Sequence, residues 1–135
     1  MKKLLLIILL INSINIFSQV ILPEGKTMIS EEELKERGFI MAIYPGGIDA
    51  FRQKFTQTFN SSNINSKGVI KSEAQFVISE EGTVSDIIIS GDNKSMNKAM
   101  ERAIKTLSKA KWKPAELDGK PIKFRFRLPI TMEFH

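Results

Sequence analysis

From Ile122 to the C-terminus, apolar residues take every second position: Ile122, Phe124, Phe126, Leu128, Ile130, Met132 and Phe134. Between them stand Lys123, Arg125, Arg127, Pro129, Thr131, Glu133 and His135. Successive side chains of a strand point to opposite faces, so this pattern predicts a long strand with one face on a core and the other toward solvent or a partner. Pro129 has no N–H to give and is tolerated chiefly in edge strands or at bulges. The strand is therefore expected to border its sheet and to leave backbone groups open to a partner strand.

Two further strands precede it. Ile70, Ala74, Phe76 and Ile78 alternate with Lys71, Glu73, Gln75 and Ser79, and Val84 to Ser90 follows after Glu80-Glu81-Gly82-Thr83, which predicts a hairpin. Ile87, Ile88 and Ile89 are consecutive, which leaves open whether both faces of this second strand are covered. Between Ser95 and Ala110, Met96, Ala99, Met100, Ala103, Ile104 and Leu107 recur at the spacing of a helix lying on a sheet. Lys98, Arg102, Lys105 and Lys109 fall mainly on its other side, as solvated charges of an amphipathic helix or as a basic face for phosphate or lipid. Trp112 follows the helix and is expected to plug its end against the sheet.

Upstream, Ile48, Phe51, Phe55 and Phe59 predict an amphipathic helix from Ile48 to Phe59 whose Phe stripe docks on the sheet, and Asn60 to Lys67 reads as a loop. Ser30-Glu31-Glu32-Glu33 has the spacing of a capping box, so a short helix is expected from Glu31 to Arg37, closed by Gly38. Three consecutive Glu point around a helix and cannot converge on a metal. Strand directions put the first strand in the centre and the other two at the edges. The fold class expected is α+β: a three-stranded antiparallel sheet in the order β-β-α-β, preceded by a helix, with the helices on one face.

Met1-Lys2-Lys3, the apolar run Leu4 to Ile11 and the uncharged stretch beyond it read as a secretory leader over residues 1–18, with cleavage after Ser18. The run is shorter than the ~20 apolar residues of a membrane span. A retained membrane anchor is the alternative, and membrane association is expected only in that case. Residues 19–43 then form a lead segment and residues 44–135 the domain. The chain has no Cys, so it carries neither a lipid-acylated cysteine nor disulfides. Losing Lys2 and Lys3 lowers the formal charge from +5 to +3, a mild excess that does not point to nucleic acid.

Catalytic parts are missing. The one His is His135, at the terminus, and no Cys or Ser–His–Asp grouping is offered. Glu80 and Glu81 are adjacent in a turn and diverge, and Gly46-Gly47 lacks the preceding strand and following Lys-Ser/Thr of a phosphate loop. No enzyme activity, cofactor or metal is expected.

Trp112-Lys113-Pro114-Ala115, Asp118-Gly119-Lys120-Pro121 and Leu128-Pro129-Ile130, in this order, resemble the end of the TonB C-terminal domain in the form common among Bacteroidetes-type energy transducers. Phe76-Val77-Ile78, Gly82, Val84, Asp86, Ala99, Ala103 and Ile104 continue the resemblance upstream, and Tyr44-Pro45-Gly46-Gly47 is similar to a Phe-Pro-Gly-Gly element of that subfamily. The resemblance spans Tyr44 to Phe134 and implies the same sheet arrangement. It also implies binding by strand addition to an outer-membrane TonB-dependent receptor, in support of transmembrane transport. Carried over by residue, the gripping surface is the last strand with Lys123, Arg125, Arg127, Pro129 and Thr131, while Tyr44, Pro45, Gly46, Gly47, Gly82, Trp112, Pro114 and Gly119 are structural. The chain departs from the pattern: residues 19–43 hold only Pro23 in place of a long Pro/Lys-rich linker, and residues 60–67 lack a Tyr-Pro element.

Three readings follow. The first is a periplasmic module docking on such a receptor or another envelope protein, with a homodimer through the same edge as a further possibility. The second is a short membrane-anchored energy transducer, and the third is a structural or lipid-associated envelope protein.

Overall fold

The computed structural model describes the backbone of Leu6–Leu9 and residues 30–134 other than 63, 65 and 66. The rest of the expected leader, the start of the lead segment and His135 lie outside the described residues.

The alternating patterns form the expected sheet. Strand β2 (Gly68–Ile78) pairs antiparallel with β3 (Val84–Gly91) on one side and with β6 (Phe124–Phe134) on the other. The β2–β6 register runs unbroken from Gly68 opposite Phe134 to Ile78 opposite Phe124. It sets Phe76 beside Phe126 and Ala74 beside Leu128, so the apolar sets of both strands share one face. Helices α2 (Ile48–Thr58) and α3 (Lys94–Leu107) cover that face. Phe51 and Phe55 of α2 are buried with Met96, Met100, Ala103 and Ile104 of α3, as the helical spacing predicts. Asn93 caps α3 by accepting the Met96 N–H at 2.9 Å. The other sheet face carries Lys71, Glu73, Gln75, Arg125 and Arg127 and has no helix on it among the described residues.

Helix α1 (Glu31–Glu36) begins at Ser30, whose Oγ accepts the Glu33 N–H at 3.1 Å. It ends where Phe39 N–H bonds the Leu34 carbonyl and Gly38 N–H the Lys35 carbonyl, the paired bonds of a Schellman stop. The chain then runs beside residues 113–116, with Ile40 bridged to Glu116 and Ile43 to Lys113.

Three features differ from the sequence expectation. The last strand is not continuous: β5 (Lys120–Ile122) turns back on β4 (Ala115–Leu117), and β6 starts after Lys123. Asp118 and Gly119 form the tip of that hairpin with φ of 56° and 74°, the positive pair of a type I′ turn. In β3, the pairing shifts between Gln75 opposite Ile88 and Val77 opposite Ser85, so one extra β3 residue is accommodated and Asp86 adopts φ of 52°. This bulge settles the three consecutive Ile: Ile87 and Ile89 pack on the core, and Ile88 is 58% exposed on the open face.

The third difference concerns the outer edge of β6. A fourth strand, β1 (Leu6–Leu9), lies on it antiparallel, from Leu6 opposite Glu133 to Leu9 opposite Ile130. The edge expected to be free is partly occupied by Leu6–Leu9, because unpaired strand donors and acceptors are satisfied by whatever extended segment reaches them.

Candidate docking edge

The side chains and backbone of β6 divide by parity. Phe124, Phe126, Leu128, Ile130, Met132 and Phe134 point into the core. Arg125 and Arg127 are exposed on the opposite face, with Pro129 and Thr131 half-buried beside them, and Lys123 is exposed in the break before β6. These side chains populate the open face of the sheet and flank the edge without forming it.

The edge itself is backbone. Pro129 lies opposite Glu73 inside the unbroken ladder, which keeps its pairing if the missing N–H belongs to the outer side. The other end of the sheet agrees: the Gly91 carbonyl, opposite Ser72, accepts from Asn97 Nδ2 at 2.9 Å and so turns away from β2. Ser72 then faces β6, Ile130 faces Ser72, and the alternation turns the N–H and C=O of Arg125, Arg127, Thr131 and Glu133 outward. β1 covers Ile130 to Glu133 and stops at Ile130, the residue after Pro129. From Phe124 to Leu128 no strand lies on the outer side among the described residues.

Arg127 is held on the open face by Glu73, its Nη2 donating to Oε1 at 3.2 Å and Oε2 at 3.0 Å. Such a part-exposed pair orients the side chain and contributes about 1 kcal/mol or less.

The motif residues fix this edge from behind. Gly47 N–H bonds the Tyr44 carbonyl at 2.7 Å across Pro45-Gly46, and Gly46 has φ of 90°, a type II turn that delivers the chain into α2. Trp112 is buried, with ring centroids 5.3 Å from Tyr44, 5.6 Å from Phe51, 5.7 Å from Phe76 and 5.4 Å from Phe126. Its Nε1 is the only buried side-chain polar atom without a partner among the described residues. Gly82, with φ of 86°, bonds the Trp112 N–H through its carbonyl at 3.0 Å, and a Cβ there would collide with the Trp112 carbonyl. The β2–β3 turn is thereby locked to the aromatic cluster. Pro114 is half-buried just before β4, and Gly119 sits at the exposed hairpin tip.

The pairing of the hairpin tip with the lead segment escaped sequence reasoning. Arg37 donates to Asp118 Oδ2 from Nε at 3.0 Å and Nη2 at 2.7 Å, and Asp118 N–H returns to the Arg37 carbonyl at 2.7 Å. Those guanidinium bonds lower the Asp118 carboxyl below the usual carboxylate range. The Asp-Gly dipeptide was the available signal for the turn.

A cavity of about 300 Å³ opens between the lead segment and the core, lined by Met41, Ile43, Tyr44, Ile48, Phe51 and Trp112 among others. No group of three metal-ligating side chains occurs among the described residues, and none of the described helices is long and apolar enough to cross a membrane.

Comparison with known families matches residues 66–134 to the Gram-negative bacterial TonB protein C-terminal. No curated protein and no solved structure matches the chain. The matched stretch contains β2, β3, α3, Trp112 and β6, while Tyr44–Gly47 lies before it. It is a family of non-enzymatic protein-interaction domains that serve transport energy transduction in the envelope. With the match covering half of the sequence, and with the β6-β2-β3 sheet and its helices in place, the chain belongs to the TonB C-terminal family.

Proposed function

We propose that this protein is a periplasmic binding module, released by cleavage after Ser18, that docks through the outer edge of β6 on an extended segment of an outer-membrane TonB-dependent transporter or another envelope protein. One observation carries the reading: the edge from Ile130 to Glu133 already holds an extended segment, β1, in antiparallel register. In strand addition the backbone supplies most of the affinity and flanking side chains tune it. Arg125 and Arg127 flank the open stretch and steer an acidic partner toward it.

The test is a titration of a peptide from the periplasmic segment of a TonB-dependent receptor against wild type, Arg127→Pro and Arg125→Ala, each first shown to be folded. Arg127→Pro removes an outward donor and leaves the β2 ladder intact, so binding should weaken by about 1 to 3 kcal/mol. Arg125→Ala should act more weakly, through salt-dependent association. Equal affinity across the three chains would move the binding surface elsewhere, the basic side of α3 being the next candidate.

A further inference from the structure

Leu6–Leu9 belongs to the leader by sequence and to the sheet by structure, and this double membership has a consequence for docking. The segment is Leu-Ile-Ile-Leu, wholly uncharged and branched, and it runs antiparallel to β6. It occupies the C-terminal end of the edge, where the outward groups of Thr131 and Glu133 lie. At Pro129 the edge lacks a donor, and the pairing ends there. The edge thus has two stretches: one from Ile130 to Glu133, which is taken, and one from Phe124 to Leu128, which holds no strand among the described residues.

We propose that Leu6–Leu9 and the docking partner compete for the Ile130–Glu133 edge, so that the chain masks its own docking strand until the leader leaves it. The inference rests on the docking reading above and adds to it both a regulation and a partner chemistry: the part of the partner that lies on Ile130–Glu133 is an uncharged aliphatic extended segment antiparallel to β6, and any acidic residues it carries fall beyond Pro129, beside Arg125 and Arg127. The mask is intramolecular. A tethered strand sees its edge at an effective concentration of about millimolar, so it outcompetes a free partner of similar intrinsic affinity present at about micromolar concentration. Removal of the leader exposes the donors of Thr131 and Glu133 without deleting any residue of the described core, which runs from Leu34 to Phe134.

The experiment uses the full chain and its Ile8→Pro variant, in which the residue opposite Thr131 loses its N–H. Amide exchange reads the edge directly. In the full chain Thr131 and Glu133 should exchange much more slowly than Arg125 and Arg127, and in Ile8→Pro all four should exchange at similar rates. A synthetic peptide of residues 2–12 is then titrated against both chains, with the expectation of at least about ten-fold tighter binding to Ile8→Pro, the scale set by removing a tethered competitor. Protection of Thr131 and Glu133 that is already absent in the full chain overturns the mask. Equal peptide binding to both chains overturns the competition and leaves docking by strand addition standing. Binding to neither chain removes the docking reading and the mask together.

Discussion

The two strands that flank β2, β3 and β6, share one core and meet their surroundings in opposite ways. β3 spans eight residues, is bent by the bulge at Asp86, and has its terminal outward carbonyl, that of Gly91, taken by Asn97 of α3. β6 spans eleven residues in unbroken register with β2, and its outer side is altered at one place, Pro129. The contrast teaches that an edge is closed by backbone geometry more than by charge. Arg125 and Arg127 stand beside β6, yet its outer side accepts an extended strand at Ile130–Glu133, whereas one residue of excess in β3 twists its edge out of a straight template.

The sharpest way to break the comparison is to remove the body that both edges share. Trp112→Ala should destabilise by roughly 3 to 5 kcal/mol, the cost of deleting a buried large aromatic, and amides of β3 and β6 should lose protection together in thermal unfolding and exchange. A melting temperature within a degree or two of wild type would contradict the burial of Trp112.

Next in size is Gly82→Ala. A side chain at φ of 86° combines left-handed strain with a collision against the Trp112 carbonyl, for a cost of about 2 to 4 kcal/mol. The loss should concentrate in the β2–β3 hairpin, so exchange should rise in β3 before it rises along the β2–β6 ladder. Uniform loss across both would mean that the two edges are not independently supported.

Asp86→Val tests the closed edge by itself. Asp tolerates φ of 52° better than a β-branched residue does, so Val should cost about 1 to 2 kcal/mol while Asp86→Gly stays within about 1 kcal/mol of wild type by chemical denaturation. If Val is harmless, the bulge is not held by the backbone conformation of this residue.

The smallest effect lies away from both edges. The folded pKa of Asp118 is depressed by Arg37 below the unfolded value of about 3.9, so its contribution is complete above about pH 4 and is lost as pH falls through the folded value. Asp118→Asn should flatten the fall in melting temperature below about pH 4 and leave peptide binding at β6 unchanged. An altered edge in that variant would couple the lead segment to docking.

Much of this architecture is legible in the sequence because the signals are local. The period-two run from Phe124 to Phe134, the helical stripe from Met96 to Leu107 and the cap at Ser30 each need only a few neighbouring residues to declare themselves. The β4–β5 hairpin was hidden because three-residue strands are too short to show alternation, and the break at Lys123 falls inside an otherwise regular pattern. The bridges of Ile40 to Glu116 and Ile43 to Lys113 join residues about seventy positions apart, and no local pattern encodes such a contact. The docking edge was half legible. Pro129 announces an edge strand, but the neighbour that occupies part of that edge is an apolar run whose sequence reads first as a leader.

The aromatic cluster also makes the molecule its own optical probe. The chain has a single Trp and a single Tyr, and the structure sets their ring centroids 5.3 Å apart, one just after the lead segment and one in α3's connection to the sheet. At that separation light absorbed by Tyr44 should reappear almost wholly as Trp112 emission, shifted to the blue by the apolar surroundings. Should the lead segment ever lift from the core, tyrosine fluorescence would return before tryptophan emission moved to the red, and the order of the two changes would time that motion without a label.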